Sequence, residues 1–91
     1  MISIELSRRF KKTVREAGRE AEVAAALRLI LAGFGNPHAH TGLAIRKLGQ
    51  NLYECRTGLA WRLVFEAQKG VLTFDFAGDH GAVQNYLRGQ R

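Results

Sequence analysis

The sequence predicts an α+β domain in which an N-terminal strand and a helical hairpin pack on an antiparallel sheet of about four strands, followed by a short C-terminal helix. Three observations lead to this prediction. Apolar and polar residues alternate at the start of the chain, two helix-forming stretches come next, and the second half is a run of short strands separated by turn residues. Because helices and strands are segregated along the chain, the strands are expected to pair as an antiparallel sheet covered by the helix pair.

The chain begins with a predicted strand and a basic helix. Apolar side chains at Ile2, Ile4 and Leu6 alternate with polar ones, which is typical of a half-buried strand. Ser7 is a suitable N-cap for a helix from Arg8 to Ala17. The narrow apolar stripe of this helix consists of Phe10, Val14 and Ala17, and the basic residues around it are Arg8, Arg9, Lys11, Lys12 and Arg15.

A second helix is predicted from about Glu20 to Ala32. Its early acidic residues suit the helix dipole, and its alanines favour the helical conformation. Gly33 and Gly35, followed by Asn36-Pro37, end it. The residues expected on its buried face are Val23, Leu27, Ile30, Leu31 and Phe34.

The remainder reads as strands joined by turns. The predicted strands are Leu43 to Leu48, Leu52 to Thr57, Ala60 to Ala67 and Val71 to Ala77. On the third of these, Trp61, Leu63 and Phe65 share one face; on the fourth, Leu72, Phe74 and Phe76 are expected to point inward. A short helix over Ala82 to Leu87 follows, with Asp79 placed to cap it.

Size and charge limit the classes of function. Ninety-one residues are expected to form a single domain, residues 1–91, and 14 Lys and Arg against 8 Asp and Glu give a net charge of +6. This excess favours an anionic partner such as nucleic acid, an acidic protein or a membrane surface, although it also serves solubility. One cysteine excludes an intramolecular disulfide, and the chain has neither a signal-peptide pattern nor an apolar stretch of membrane-spanning length. A cytoplasmic protein that does not act at a membrane is expected.

The strands between Arg46 and Phe76 carry the candidate chemistry. Glu54 and Arg56 lie two residues apart and so share a sheet face, and Arg62 lies on the next strand, with Arg46 and Lys47 on the strand before. Cations beside one carboxylate suit RNA cleavage by transesterification, in which arginines stabilise the phosphorane and an acid and a base move protons. The alternative is a solvated ion pair of little energetic value.

Histidine, cysteine and aromatic residues offer further candidates. His38 and His40 form a His-x-His pair without a carboxylate or cysteine pair nearby, so no metal site is predicted. His80, beside Asp79, has the chemistry of a general acid or base, or else is a loop or capping residue. Cys55 is expected in the core rather than as a nucleophile, and Tyr53 and Trp61 are expected in the core rather than as base-stacking platforms.

The order of these elements, together with four local patterns, resembles the RelE/ParE superfamily of bacterial toxins of type II toxin–antitoxin systems. The family's succession "K-L, L-Y-E-L-R, Y-R-V-L-F" and its closing segment are similar to Arg46–Gly49, Leu52–Arg56, Trp61–Phe65 and Gly78–Val83. The resemblance covers essentially the whole chain. It implies a small basic toxin neutralised by a cognate antitoxin protein.

One branch of that superfamily comprises ribosome-dependent endoribonucleases, or mRNA interferases, which cut mRNA without metal or cofactor and so inhibit translation. The resemblance then implies that Arg56 and Arg62 hold the scissile phosphate, that His80 occupies the late basic or histidine position, and that Glu54 falls at the strand carboxylate. The RNA-binding positions expected from the strand before and from the first helix are Arg46, Lys47, Arg8, Lys11, Lys12 and Arg15.

The pattern also departs from that branch. Nuclease members often carry a catalytic tyrosine shortly after the late basic residue, where this chain has Gln84, with Tyr86 two residues later. The other branch inhibits DNA gyrase and lacks the nuclease residues. If the chain is a nuclease, the ribosome and mRNA are its expected partners. If it is a gyrase inhibitor, DNA gyrase is the expected partner. A third possibility is an inactive module that only binds an antitoxin.

Overall fold

The computed structural model describes residues 2–34, 43–58 and 60–89. In chain order the elements are β1 (Ser3–Leu6), α1 (Arg8–Glu16), α2 (Glu20–Gly33), β2 (Arg46–Gly49), β3 (Leu52–Thr57), β4 (Trp61–Gln68), β5 (Val71–Gly78) and α3 (His80–Gly89). The predicted α+β class and the predicted order of helices and strands are confirmed.

The sheet has five strands, in the order β1-β5-β4-β3-β2, and not about four. β2 to β5 pair antiparallel, as predicted, whereas β1 joins as an edge strand parallel to β5, with Ser3 opposite Val71 and Leu6 opposite Phe74. The local alternation in β1 predicted a strand but held no information about its partner, which lies far along the chain.

The helix signals in the first third were accurate. The Oγ of Ser7 accepts a hydrogen bond from the backbone N–H of Phe10 (3.0 Å), so it caps α1 as predicted. At the end of α1 the N–H groups of Gly18 and Arg19 return to the carbonyls of Arg15 and Val14, and the positive φ of Gly18 (68°) makes this turn possible. Three residues, Ala17, Gly18 and Arg19, connect α1 to α2.

The main core lies between one face of the sheet and the pair α1 and α2. Phe10 and Phe74 meet at 5.6 Å between ring centroids, and Phe65 stacks on Phe74 at 4.6 Å. The other side chains buried in this core are Val14, Val23, Ala26, Ile30, Leu43, Cys55, Leu63, Leu72 and Ala77. Leu31, predicted in the buried face of α2, is instead 48% exposed, because the helix turns it away from the sheet.

The opposite face of the sheet carries α3 and is called here the α3 face. Val64 of β4 and Val83 of α3 are both fully buried but lie outside the main core. α3 therefore makes a second, smaller layer, and the molecule has helices on both sides of its sheet. None of the described helices is long and apolar enough to cross a membrane.

Two irregularities alter the predicted strands. Ala44 has a positive φ (49°), which interrupts the extended backbone, so β2 begins at Arg46 rather than at Leu43. In β5, Phe76 pairs with Val64 while Phe74 pairs with the next residue, Phe65, so Asp75 is a bulge. The bulge shifts the alternation by one residue, which moves Phe76 to the α3 face, and its predicted inward position is wrong.

Candidate functional site

Arg56 and Arg62 face one another across the sheet. They are paired residues of β3 and β4, and Gly78 of β5 completes the row on the other side of Arg62. Directly opposed residues have Cβ atoms roughly 4.5–5.5 Å apart, and like charges at that separation repel. The structure thus confirms that the two arginines are neighbours on one face, and it places them where a local anion would relieve their repulsion.

Glu54 lies in the adjacent row, directly opposite Arg46. Its Oε2 accepts a hydrogen bond from Nη1 of Arg62 at 2.7 Å and forms an ion pair with Nη2 of Arg46 at 3.2 Å. Glu54 is only 3% exposed, so this is not the solvated surface pair that the sequence left open. A buried carboxylate sharing one oxygen between two arginines fixes where both guanidinium groups lie.

The two central arginines differ in their freedom. The guanidinium of Arg62 is held by Glu54, and its buried Nε has no hydrogen-bond partner among the residues that the structure describes. Arg56 is exposed, and its backbone N–H donates to the carbonyl of Leu43, but its guanidinium makes no ion pair with any residue that the structure describes. One arginine is therefore positioned and the other is available to an incoming anion.

His80 begins α3 at the end of the arginine row. The Oδ1 of Asp79 accepts from the N–H of Ala82 at 2.8 Å, which confirms the predicted cap. A Cβ at Gly78 would lie 2.9 Å from the Cβ of Ala82, so the glycine lets α3 start close above the sheet. His80 is exposed, and within the described residues no hydrogen bond or ion pair ties it to Glu54, Arg56 or Arg62.

Tyr86 is fixed elsewhere on the same face. Its ring stacks on Phe76 with centroids 4.5 Å apart and an interplanar angle of 14°, and its hydroxyl donates to Oδ2 of Asp75 at 2.9 Å. Arg9 of α1 binds the same oxygen, and its guanidinium lies 5.2 Å from the centroid of the Tyr86 ring. The chain's only tyrosine in α3 is thus held by Asp75 and Arg9, two residues that sequence reasoning did not select. The β-bulge that directs Asp75 toward Tyr86 and Arg9 has no local signal in the sequence.

This network changes two acidities. Burial opposes ionisation of Asp75, but hydrogen bonds from Arg9, Tyr86 and Ser7 outweigh it and lower the pKa of Asp75 below its usual value. Burial, followed by the hydrogen bond and negative charge of Asp75, raises the pKa of Tyr86 to about 12. The Tyr86 hydroxyl therefore stays protonated at neutral pH and donates its hydrogen bond to Asp75.

A half-open cavity of about 240 Å³ lies on the α3 face, between the strands and Tyr86. Glu66 and Thr73, which pair across β4 and β5, make its polar edge, and Leu52 lies opposite Glu66 on β3. The described residues that line it are Leu52, Val64, Phe65, Glu66, Thr73, Asp75 and Tyr86. Within this lining Glu66 lies four residues along β4 from Arg62, a distance of about 13 Å.

The predicted RNA-binding cations do not all converge on the arginine row. Arg46 lies beside the row, because it forms an ion pair with Glu54. Lys47 instead pairs with Tyr53 and so lies on the opposite sheet face. The predicted RNA-binding residues of α1 are all exposed, and α1 packs on the core side of the sheet. These residues are Arg8, Lys11, Lys12 and Arg15. They form a second basic surface, called here the α1 surface.

Lys11 and Arg15 also flank a groove of about 310 Å³ between α1 and α2. Apolar side chains form its floor, among them Phe10, Val23 and Leu27, and Glu20 is the one carboxylate among its described lining residues. The groove is thus apolar inside and mostly basic at its rim.

The remaining sequence candidates are structural or lie outside the described residues. Cys55 is fully buried, and burial, with the negative charge of Glu54, raises the pKa of its thiol to about 12, so it is a core residue as predicted. Tyr53 stacks on Phe65 at 5.5 Å, and Trp61 packs against the core with Arg19 over its ring at 4.8 Å. His38 and His40 lie outside the described residues, among which no three His, Cys, Asp or Glu side chains are grouped to hold a metal ion.

Comparison with known proteins identifies the fold. No family model and no curated protein matches the sequence. Among solved structures, YafQ from E. coli strain BL21(DE3) superposes with a TM-score of 0.71 at 18% identity, covering 91% of this chain and 98% of YafQ. The E. coli DinJ–YafQ complex (TM-score 0.68, 18% identity) and a YafQ mutant (0.66, 16%) match over the same share of each chain. At this level of identity the likeness shows the fold: this chain has the fold of YafQ.

Proposed function

We propose that this protein is the toxin of a type II toxin–antitoxin module and that it cleaves mRNA on the ribosome without a metal ion. The observation that carries the proposal is the facing pair Arg56 and Arg62, with Arg62 held in place by the buried Glu54. The YafQ fold supports the toxin assignment. Cleavage and inhibition of translation would occur in the cytoplasm, where ribosomes and mRNA meet.

The proposed reaction is a transesterification. The ribose 2′-oxygen loses its proton and bonds to the adjacent phosphorus, and the bond from phosphorus to the 5′-oxygen of the next nucleotide breaks as that oxygen gains a proton. The products are a 2′,3′-cyclic phosphate and a 5′-hydroxyl. Negative charge on the phosphorane would be stabilised by Arg56 and Arg62, whose planar guanidinium groups suit phosphate oxygens.

His80 is the proton carrier in this proposal. It is exposed at the start of α3, next to the strand end that carries the arginine row, and imidazole exchanges protons near neutral pH. Glu54 acts as a positioning residue, because it is buried and its Oε2 holds both Arg46 and Arg62. This differs from the catalytic role considered for Glu54 from the sequence.

The decisive test uses purified protein, ribosomes and a defined mRNA, with 5′ ends mapped after incubation. Arg56→Ala is the sharpest variant because Arg56 is exposed and the folded state does not depend on its guanidinium. Loss of one donor to a developing negative charge is expected to slow cleavage by about 10²–10³-fold. Arg28→Ala, which removes an exposed arginine from α2, is the matched control and should cleave at the wild-type rate.

Two results would overturn the nuclease proposal. Equal rates for Arg56→Ala and wild type would remove the arginine row from the reaction. Intact mRNA together with inhibition of gyrase supercoiling would favour the gyrase-inhibitor branch, and no effect in either assay would favour an inactive antitoxin-binding module. Parallel readouts of translation and supercoiling during regulated expression separate these cases.

A cognate antitoxin is the second part of the proposal. The DinJ–YafQ complex is a precedent for a partner bound to this fold. The groove between α1 and α2, with its apolar floor and with Lys11 and Arg15 at its rim, suits an apolar and acidic segment of such a partner. The adjacent gene should encode a small protein with a DNA-binding motif and an acidic, partly disordered tail.

Charge reversal tests the antitoxin contact. Lys11→Glu with Arg15→Glu should weaken binding of that neighbouring gene product by at least about tenfold, while Arg8→Glu, on the same helix but outside the groove, should have a smaller effect. Unaltered binding of the double variant would exclude the groove as the docking site.

A further inference from the structure

The cavity on the α3 face has the chemistry of a binding site for a flat, hydrogen-bond-donating ring. At about 240 Å³ it is smaller than the roughly 300–1,000 Å³ typical of sites for drug-sized ligands, so it suits a single ring system. Leu52 and Val64 supply an apolar floor, and Tyr86 supplies an aromatic wall held in place by Phe76 and Asp75. These surfaces favour a planar, partly apolar ligand.

The polar edge of the cavity is made mainly of acceptors. Glu66 is exposed, and its carboxylate forms no hydrogen bond or ion pair with the residues that the structure describes. Its charge is nonetheless close enough to act on the Tyr86 hydroxyl. Thr73 lies directly opposite Glu66 and adds a hydroxyl. A ligand with an amino group would satisfy this edge better than one that presents only carbonyl oxygens.

The same sheet face also provides a site for an attached anion. Arg62 and Arg56 lie about 13 Å along the strands from the Glu66 row, within reach of neighbouring nucleotides of one RNA strand. A planar ring that donates hydrogen bonds and is linked to a phosphate is a nucleotide. We infer that the cavity binds one base of the RNA next to the phosphate held by the arginine row, and that Glu66 and Thr73 select bases with an amino group (adenine, cytosine or guanine) over uracil.

This inference rests on the proposed function for its biological role, but it can be tested without cleavage. The purified protein is titrated with AMP, CMP, GMP, UMP and inorganic phosphate, and the backbone amide shifts are followed by NMR. Phosphate alone should shift the amides of Arg56 and Arg62. AMP, CMP and GMP should in addition shift those of Leu52, Glu66 and Thr73, and should bind about tenfold more tightly than UMP, as expected for one hydrogen bond to a charged group.

Three variants sharpen the test. Glu66→Gln keeps the shape but removes the charge, and should reduce the discrimination against UMP to about twofold. Thr73→Phe fills the cavity and should abolish the shifts at Leu52 while leaving those at Arg56. Glu16→Gln, an exposed carboxylate of α1 outside the cavity, is the matched control and should leave the discrimination unchanged.

The outcomes test the base-binding cavity separately from the proposed cleavage. Shifts confined to Arg56 and Arg62 and equal for all four nucleotides, or no shifts at all, would overturn the base-binding cavity. Neither result bears on cleavage, which the ribosome assay decides separately. If the cavity discriminates between the nucleotides but the protein leaves mRNA intact on the ribosome, the nuclease proposal fails while the binding site stands.

Discussion

At the scale of single residues, Glu54 is the centre of the candidate site. It brings Arg46 and Arg62 to one oxygen inside the protein, so their positive charge is partly neutralised where they meet. Arg56 then faces Arg62 with no carboxylate of its own among the described residues. Breaking a buried ion pair leaves a charge without its partner, which is costly to the fold. A positioning role therefore appears as a loss of stability as well as of activity.

Glu54→Gln should lower the free energy of unfolding by about 1–3 kcal/mol, because the neutral amide no longer balances the two arginines. Denaturant unfolding of the variant beside Glu16→Gln, whose change should stay within about 0.5 kcal/mol, measures this. Cleavage by Glu54→Gln should fall while the shape of its pH–rate profile is retained. Loss of the acidic limb of that profile would instead identify Glu54 as a general base.

Tyr86 gives a second residue-level prediction, at high pH. Its pKa is about 12 in the folded protein and about 10 in the unfolded chain, so its contribution to stability is complete below pH 10 and is lost as pH rises toward 12. Tyr86→Phe lacks this titration. The stability advantage of the wild type over Tyr86→Phe should therefore shrink between pH 10 and 12, as measured by denaturant unfolding at each pH. A constant difference would show that the hydroxyl is not held by Asp75.

Asp75 should behave in the opposite sense at low pH. The pKa of Asp75 is lowered in the folded protein. Its contribution to the stability of the fold is therefore present above the unfolded-state pKa of about 3.9 and is lost as pH falls through the folded-state pKa. Asp75→Asn should be less stable than the wild type at pH 7, and the two should converge in acid. Thermal unfolding across this pH range tests the convergence, with Asp79→Asn as a carboxylate control that does not contact Arg9 or Tyr86.

At the scale of elements, the bulge in β5 determines what the α3 face presents. It turns Phe76 toward α3, where the ring supports Tyr86, and it leaves Asp75 free to bind α1 and α3 together. Without the extra residue Phe76 would point into the main core. α3 is therefore fastened at its far end by stacking and hydrogen bonding, and at its start by the Asp79 cap.

Phe76→Ala should loosen α3. Loss of a half-buried ring and of its stacking with Tyr86 is expected to lower the free energy of unfolding by about 1–3 kcal/mol. Hydrogen exchange should rise at the amides of α3 more than at those of β4. Leu29→Ala, which shortens an exposed side chain of α2, should change neither quantity noticeably. Equal acceleration in β4 would mean that α3 does not open independently.

The elements also show what local sequence patterns can predict. Local sequence patterns predicted the caps at Ser7 and Asp79 and the turns around the strands, because each of these features depends on a few consecutive residues. Alternation predicted that Glu54 and Arg56 share a sheet face with Arg62 on the next strand, whereas the direct pairing of Arg56 with Arg62 is a finding of the structure. The parallel partner of β1 could not be predicted because it depends on contacts between distant segments, and neither the bulge at Asp75 nor the left-handed Ala44 carries a glycine that would mark it. Consequently Arg9, Asp75 and the cavity were missed.

At the scale of the whole molecule, cationic residues occupy two surfaces separated by the sheet. The arginine row lies on the α3 face, and the α1 surface lies beyond the core. With a net charge of +6, both attract polyanions, so total affinity for RNA does not by itself identify the catalytic surface.

Salt dependence separates the two surfaces. For a defined single-stranded RNA, Arg56→Ala should reduce the slope of log K against log salt by about 0.7, the value for one lost phosphate contact. Fluorescence anisotropy over a range of salt concentrations measures this, and Arg28→Ala should leave the slope unchanged. An identical slope for Arg56→Ala would place the RNA elsewhere on the protein.

The pairing of β1 with β5 has a consequence for how the chain folds during its synthesis. Ser7 and Asp75, which meet at the end of this pairing, are separated by 68 positions in the chain. Contacts of such long sequence separation form late and slow folding. During synthesis, β3 and β4 emerge before the strand that joins them to β1, and His80 emerges later still. A nascent chain therefore carries both arginines of the row before the fold that positions them is closed, so the complete site arises only once translation has passed α3.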